Sequence, residues 1–271
     1  MNKPTIIIWE GQWWQNNINT VLQNHGYKTI LTNHETHKFP AFAWPRDCFV
    51  NYNGIYLDSR SETDHPFWEW WNVLVGKNFA LLSQESIRYD YSDLDEVQNA
   101  LNEALDSNKI TAYVLPNWHN HRNQSFRNID NSHIDLFMLL CPKKELFLLD
   151  TNYINTYHKD PTNMKKEIAE IREILTDFLW LQCIEYDWSN EWIFPLNGLV
   201  LPWQNSENTD LVVIDSASKK LNHILQDNDI EVITVDMPQH PYDKTCGKIR
   251  CQTNTIDNTV DEAKIDYLLH N

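Results

Sequence analysis

Apolar and polar positions follow two recurring arrangements along the chain. In the first, a stretch with apolar residues three or four positions apart passes through a short polar break into an apolar strand. The stretch 220–236 is an example, with Leu221, Ile224 and Leu225 on one helix face and a β-branched strand after it. The same arrangement predicts helix–strand pairs at three further places, 21–31, 100–115 and 173–187.

In the second arrangement, two short apolar strands flank a turn. Asn53–Gly54, Gly76–Lys77–Asn78 and Pro142–Lys143–Lys144 supply residues that are typical of turns. The pattern predicts four hairpins, at 48–59, 72–83, 135–150 and 199–215.

Together the two arrangements give a unit of strand, turn, strand, helix and strand, which recurs roughly every 50 to 65 residues. Four units are readable, and 249–256 predicts part of a fifth that closes on the N-terminal strand TIIIW. Alternating strands and helices indicate an α/β fold. Units closed on themselves would form a ring around a central pocket, and without a Pro/Gly/Ser-rich linker we expect one domain over 1–271.

The composition of the chain limits the classes of partner that it is expected to bind. The net charge of −16 argues against nucleic acid, which needs clustered Lys and Arg, and is compatible with a small cationic substrate. No apolar run approaches the roughly 20 residues that span a bilayer, so no membrane partner is expected. The apolar run Ile6–Trp9 is too short for a signal peptide, and five scattered cysteines without a CxxC motif indicate a reducing, cytoplasmic location. The sequence is compatible with a homo-oligomer without deciding it.

Four motifs place polar residues at strand ends, where such a ring would turn them inward. They are WPRDCFV (44–50), WEWWNVLVG (68–76), SHIDLF (132–137) and CGKIRCQTNTI (246–256). Their side chains suit a guanidinium substrate, a planar cation best held by carboxylates. Breaking its C–N bond needs a nucleophile such as a thiolate and an acid such as His. The chain supplies this set as Asp47, Glu69, His133, Asp135 and Cys251.

The ordered motifs resemble those of the guanidino-group modifying enzymes, the pentein superfamily, which includes arginine deiminase, dimethylarginine dimethylaminohydrolase, agmatine deiminase and amidinotransferases. The resemblance rests on Arg46–Asp47, on 69–72, on His133–Ile134–Asp135 and on the turn 247–251 that leads into Cys251. It implies a five-bladed α/β propeller of ββαβ units around a pseudo-fivefold axis. It also implies a cofactor-free enzyme without a metal.

The resemblance implies a role for each residue. Cys251 is the nucleophile, and His133 is the general acid and base. Asp47 and Asp135 hold the guanidinium nitrogens, and Glu69 orients His133 or binds substrate.

The second motif departs from the family pattern Glu-Gly-Gly-Asp. Trp70 and Trp71 replace both glycines, and Asn72 replaces the Asp. We expect Asn72 to contact the substrate, and the Trp side chains to narrow the pocket or to stack on a flat cation.

Each residue also has a structural interpretation. Cys251 would be a small buried apolar residue, and Cys246 a bystander rather than a redox partner. His133 would cap a strand, Asp47 would pair with Arg46, and Glu69 would be a solvated acid.

These roles predict a cofactor-free hydrolase that acts on an arginine-like small molecule through a covalent thiouronium on Cys251. Three other functions compete with this prediction. An amidinotransferase would pass the amidino group to an amine. A metal-dependent ureohydrolase would use His119, His121, His133 and Asp135 as ligands. A binding protein would share the scaffold without catalysis.

Overall fold

The computed structural model describes fifteen stretches of the chain. They are residues 3–10, 15–32, 49–52, 55–58, 73–76, 78–83, 99, 111–115, 134–152, 161–187, 194–201, 210–237, 249–251, 253–256 and 262–270.

The described strands form five separate sheets, four of three strands and one of two. In chain order the strands are β1 (Thr5–Trp9), β2 (Lys28–Thr32), β3 (Phe49–Tyr52), β4 (Ile55–Asp58), β5 (Val73–Val75), β6 (Phe79–Ser83), β7 (Thr111–Leu115), β8 (Met138–Cys141), β9 (Leu146–Asp150), β10 (Gln182–Tyr186), β11 (Leu199–Leu201), β12 (Leu211–Asp215), β13 (Glu231–Val235) and β14 (Thr253–Ile256).

The described helices lie between these strands and at the end of the chain. They are α1 (Gln15–Asn24), α2 (Ile134–Phe137), α3 (Pro161–Glu173), which continues as a π-helical turn (Ile174–Phe178), α4 (Lys219–Asp227) and α5 (Glu262–His270). Within the described ranges, no helix is long and apolar enough to cross a membrane.

The four three-stranded sheets share one pattern. The middle strand pairs antiparallel with one neighbour and parallel with the other, as β9 does with β8 and β10. The strand orders are β14–β1–β2, β5–β6–β7, β8–β9–β10 and β11–β12–β13. All four predicted hairpins are confirmed, and so is the closure on the N-terminal strand, since Thr5 pairs with Ile256. The α/β class is confirmed as well.

Two predicted boundaries are wrong. The hairpin predicted from residue 135 begins at Met138, because Ile134–Phe137 forms a helical turn. The strand predicted from 249 begins at Thr253, because 249–251 forms a turn. In that turn the hydroxyl of Thr253 donates to the carbonyl of Ile249 at 2.8 Å. In such short apolar runs, periodicity cannot separate a strand from a buried turn.

The core is built from the predicted apolar faces. On α4, Leu221 and Leu225 are buried and Ile224 is partly buried, in a cluster that also contains Val212 and Ile214 of β12. Burial stabilises each such leucine by about 1.5–3 kcal/mol. The helix stripe read from the sequence is therefore the face that packs on the sheet.

A buried carboxylate fixes the turn between β8 and β9. Oδ2 of Asp210 accepts the backbone N–H of Lys143 at 3.0 Å and that of Lys144 at 3.1 Å. Asp210 is 0% exposed. Burial raises the pKa of Asp210, while the hydrogen bonds from Lys144 and Lys143 lower it, and burial is the largest effect. The folded chain therefore holds this proton more tightly than the unfolded chain.

This shift predicts a specific pH dependence of stability. The stabilisation is fully present below the unfolded pKa and is lost as the pH rises through the folded pKa. Asp210→Asn keeps one acceptor oxygen but cannot titrate. In urea unfolding from about pH 4 to about pH 7, we expect wild type to be most favoured relative to Asp210→Asn at the acidic end. A stability of wild type that rises with pH relative to that of Asp210→Asn would contradict this sign.

Candidate active site

Three polar side chains from distant parts of the chain meet in a buried cluster, which we call the thiol–carboxylate cluster. Cys251 is 6% exposed, Asn197 is 1% exposed and Asp135 is 0% exposed. Sγ of Cys251 lies 3.5 Å from Oδ2 of Asp135, across 116 residues of sequence. Because burying a polar group is costly unless it has hydrogen-bond partners, such a cluster depends on its internal contacts.

Each of the three residues lies in a short segment just ahead of a strand. Asp135 lies in α2, which runs directly into β8. Asn197 lies before β11, and Cys251 lies in the turn before β14. Three different sheets thus deliver one side chain each to the cluster.

A tight turn directs Asn197. Its backbone N–H donates to the carbonyl of Phe194 at 3.1 Å, and Pro195 at the second position supplies the φ that this turn needs. Phe194 itself has φ of 58°, which is uncommon for a residue with a side chain. The next residue, Gly198, lies so close to β12 that an added Cβ would be 3.0 Å from the carbonyl oxygen of Val213. An alanine at this position would therefore force its neighbours to move by a few tenths of an ångström.

The side-chain amide of Asn197 binds both other members of the cluster. Its Nδ2 donates to Oδ2 of Asp135 at 2.6 Å and to Sγ of Cys251 at 3.2 Å. Its Oδ1 accepts the backbone N–H of Cys251 at 3.3 Å. An exchange of the amide oxygen and nitrogen would place an oxygen against the carboxylate and N–H groups against an N–H. The contacts therefore define the orientation of the amide.

Backbone contacts hold the turn of Cys251 in place. The N–H of Arg250 donates to the main-chain carbonyl of Asn197 at 3.2 Å. The guanidinium Nη2 of Arg250 donates to the carbonyl of Val73 on β5 at 3.2 Å. The turn is thus joined to β5 and to the segment just before β11.

The electrostatics of the cluster suit a bound cation. A carboxylate at Asp135 opposes a second negative charge on the neighbouring sulfur, since like charges at this distance repel strongly in a buried site. A cation in contact with both groups would relieve that repulsion. The cluster can therefore bind a positive group and hold a nucleophile against it.

The other described thiols have different surroundings. Burial raises the pKa of Cys141 well above its ordinary value, and Asp210 raises it further. Burial raises the pKa of Cys183 to about 11, with Arg172 lowering it and Glu185 raising it. Both thiols are therefore protonated at neutral pH. All three described cysteines are free thiols.

The structure brings together two of the predicted site residues, Cys251 and Asp135. Four others, His133, Asp47, Glu69 and Asn72, lie outside the described residues.

The described residues bear only in part on the alternative of a metal-dependent ureohydrolase. Among the described residues, no group of three or more His, Cys, Asp or Glu side chains is placed to hold a metal ion. His119, His121 and His133 lie outside that part of the chain, as does Cys246.

Sequence reasoning missed Asn197. Its signal is the criterion that found the four motifs, a polar residue just before an apolar strand, here FPLNGLVL (194–201). The hairpin prediction began at 199 and left Asn197 outside it.

Comparison with known proteins gives likeness in structure alone. No protein-family model matches the chain, and no curated protein matches its sequence. The structure is similar to DDAH of Pseudomonas aeruginosa complexed with citrulline, with a TM-score of 0.59 and 9% identity over 94% of this chain and 100% of that chain. DDAH is dimethylarginine dimethylaminohydrolase.

Two further solved structures extend the likeness. Agmatine deiminase of C. jejuni has a TM-score of 0.56 and 13% identity over 94% of this chain and 93% of that chain. Inosamine-phosphate amidinotransferase of Streptomyces griseus has a TM-score of 0.56 and 13% identity over 92% of this chain and 80% of that chain. The chain shares the fold of these solved structures. The resemblance inferred from the four motifs is confirmed at that level.

Gly198 gives a test of how tightly the Asn197 segment is packed. Gly198→Ala would push a methyl group against the carbonyl of Val213, in a strand paired on both sides. We expect a loss of about 1–3 kcal/mol in the free energy of unfolding, measured with urea. Ser216→Ala, a change at an exposed residue, serves as the control. Its free energy of unfolding should stay within about 0.5 kcal/mol of that of wild type. Equal stabilities of Gly198→Ala and wild type would show that the segment has room.

Proposed function

We propose that the chain is a guanidine-modifying hydrolase that acts on an arginine-like small molecule through Cys251. The observation that carries the proposal is the buried contact of 3.5 Å between Sγ of Cys251 and Oδ2 of Asp135. A nucleophile beside a carboxylate is the pair that a planar cation requires. The likeness to solved guanidine-modifying enzymes supports the same substrate class.

The proposed reaction has two halves. The thiolate of Cys251 attacks the guanidinium carbon, and the leaving nitrogen departs with a proton from His133. This gives a covalent thiouronium on the sulfur. Water, deprotonated by His133, then attacks the same carbon and releases a ureido product, which restores the thiolate.

Binding and activation are coupled in this scheme. Asp135 and Asp47 hold the guanidinium edge and limit its rotation, with Glu69 and Asn72 completing the pocket. Because Asp135 opposes a second negative charge nearby, the bound cation promotes formation of the thiolate. The net charge of −16 favours approach of a cation.

The architecture proposed for this chemistry is one catalytic domain over 1–271. Its five sheets would be the blades of a propeller around a pseudo-fivefold axis. The pairing of β14 with β1 supports this arrangement, because it joins the first and the last described strands in one sheet. The reaction is proposed to need no cofactor.

Amidino transfer shares the first half of the reaction, and the similar structures include an amidinotransferase. A screen of guanidino compounds should therefore measure ammonia and ureido products together. Parallel reactions with an added amine such as glycine detect transfer as a new guanidine. Reactions with a chelator detect a metal-dependent ureohydrolase, whose activity would be lost with chelator and would survive thiol alkylation.

Cys251→Ser tests the nucleophile. We expect turnover of every active guanidine to fall by at least about a thousandfold, because a serine hydroxyl is far less ionised than a thiol at neutral pH. Cys183→Ser, a half-buried cysteine outside the cluster, is the matched control and should keep its activity. Intact-mass measurement should also detect a substrate-derived adduct on wild type and none on Cys251→Ser. Substantial turnover by Cys251→Ser would reject the mechanism.

Asp135→Asn tests the carboxylate. Asparagine keeps the shape and an acceptor for Asn197 but removes the negative charge that binds the cation. We expect kcat/KM to fall by about tenfold to a hundredfold or more, as for a lost hydrogen bond to a charged group. Asp210→Asn is the control, since it changes a buried aspartate at the other end of β8. Equal losses in both variants would indicate a structural effect.

A further inference from the structure

Asn197 is the one member of the thiol–carboxylate cluster to which the proposed chemistry gives no role. Its side-chain amide both donates and accepts hydrogen bonds within the cluster. Nδ2 lies within hydrogen-bond distance of Oδ2 of Asp135 (2.6 Å), Sγ of Cys251 (3.2 Å) and the main-chain carbonyl of Asp135 (3.4 Å). Oδ1 accepts from the N–H of Cys251. An amide nitrogen carries two hydrogens, which is enough to serve the carboxylate and the sulfur at once.

We propose that Asn197 is a positioning residue that holds the sulfur of Cys251 and the carboxylate of Asp135 on one amide group and stabilises the thiolate. The inference rests on the proposed function of Cys251 as the nucleophile. Asn197 does not need to touch the substrate for this role. It acts through the two residues that do.

Asn197 sets the position of the sulfur through the turn that carries Cys251. Through its main-chain carbonyl and its Oδ1, Asn197 accepts the consecutive N–H groups of Arg250 and Cys251. These two bonds fix the position and direction of the turn. Nδ2 of Asn197 then donates to the sulfur that the same turn carries. The residue is itself fixed by the turn at Phe194 and by the close packing of Gly198 on β12. The sulfur therefore takes its position from Asn197.

Asn197 also affects the ionisation of the sulfur. The carboxylate of Asp135 contacts the sulfur, and the guanidinium of the adjacent Arg250 donates to the carbonyl of Val73. Asp135 works against a thiolate, while an amide N–H donor works for it, because hydrogen bonds to charged groups are stronger than those to neutral ones. By donating to both anions, the amide also lowers the repulsion between them.

The test is the pH dependence of alkylation of Cys251 by iodoacetamide in the folded protein, followed by the mass of its peptide. The midpoint of the profile reports ionisation of the thiol, and the plateau reports access. We expect the midpoint to rise in Asn197→Ala, so that alkylation at pH values below it is at least about tenfold slower than in wild type. Asn197→Asp should raise the midpoint further, because it adds a like charge.

The matched control is Asn228→Ala. Asn228 also donates its Nδ2 to a backbone carbonyl, that of Ile224 at the end of α4, and is remote in sequence from the cluster. In Asn228→Ala, the midpoint of Cys251 alkylation should equal that of wild type. Midpoints of both Asn197 variants equal to wild type, in folded protein, would overturn the proposal.

A second measurement covers the case in which the Asn197 variants do not fold. In ¹⁵N-labelled wild type, one asparagine side-chain NH₂ pair should shift with the same midpoint as alkylation, and in Cys251→Ser that pair should not titrate with it. If no such pair follows the thiol in wild type, the inference is wrong.

The two proposals fail separately. Alkylation and NMR need no substrate, so a chain that turns over no guanidine can still show the Asn197 effect. Turnover with unchanged midpoints in the variants would keep the proposed function and remove the role of Asn197.

Discussion

The site depends on one constraint, that a buried carboxylate and a thiol lie in direct contact. Oδ2 of Asp135 and Sγ of Cys251 are 3.5 Å apart, and both residues are nearly inaccessible. Such a pair is costly unless donors reach it. The amide of Asn197 is a donor to both, and its own oxygen is satisfied by the backbone of Cys251. These contacts serve Oδ2 of Asp135, the sulfur of Cys251 and the amide oxygen of Asn197.

That constraint explains why the three residues come from three sheets. Each lies where a segment enters a strand, and each segment has a local device that sets its direction. For Asp135 the device is the helical turn Ile134–Phe137. For Asn197 it is the turn at Phe194, and for Cys251 it is the turn closed by the hydroxyl of Thr253. The sheets provide rigid strand ends, and the short segments ahead of them set the direction of each side chain in the cluster.

Much of the fold could be predicted from the sequence because it follows from local periodicity. The hairpins, the helix stripe of Leu221 and Leu225, and the pairing of the last described strand with the first are all readable from apolar spacing. The starts of β8 and β14 could not be read, since a few apolar residues fit a strand and a buried turn equally well. The pairing of Cys251 with Asp135 came from a resemblance, because contacts across 116 residues leave no local signal.

Asn197 shows why the rest of the cluster escaped sequence reasoning. A search for chemistry selects residues that ionise or attack, and an amide does neither. Its value arises only when a carboxylate and a sulfur are already in place, because then two donors on one nitrogen can serve both. A neutral donor has a further advantage over a cation here. A lysine or arginine in its place would neutralise Asp135 permanently and would compete with a guanidinium for the carboxylate, whereas an amide leaves the negative charge available. The neutral amide thus keeps the cluster anionic and ready for a cation.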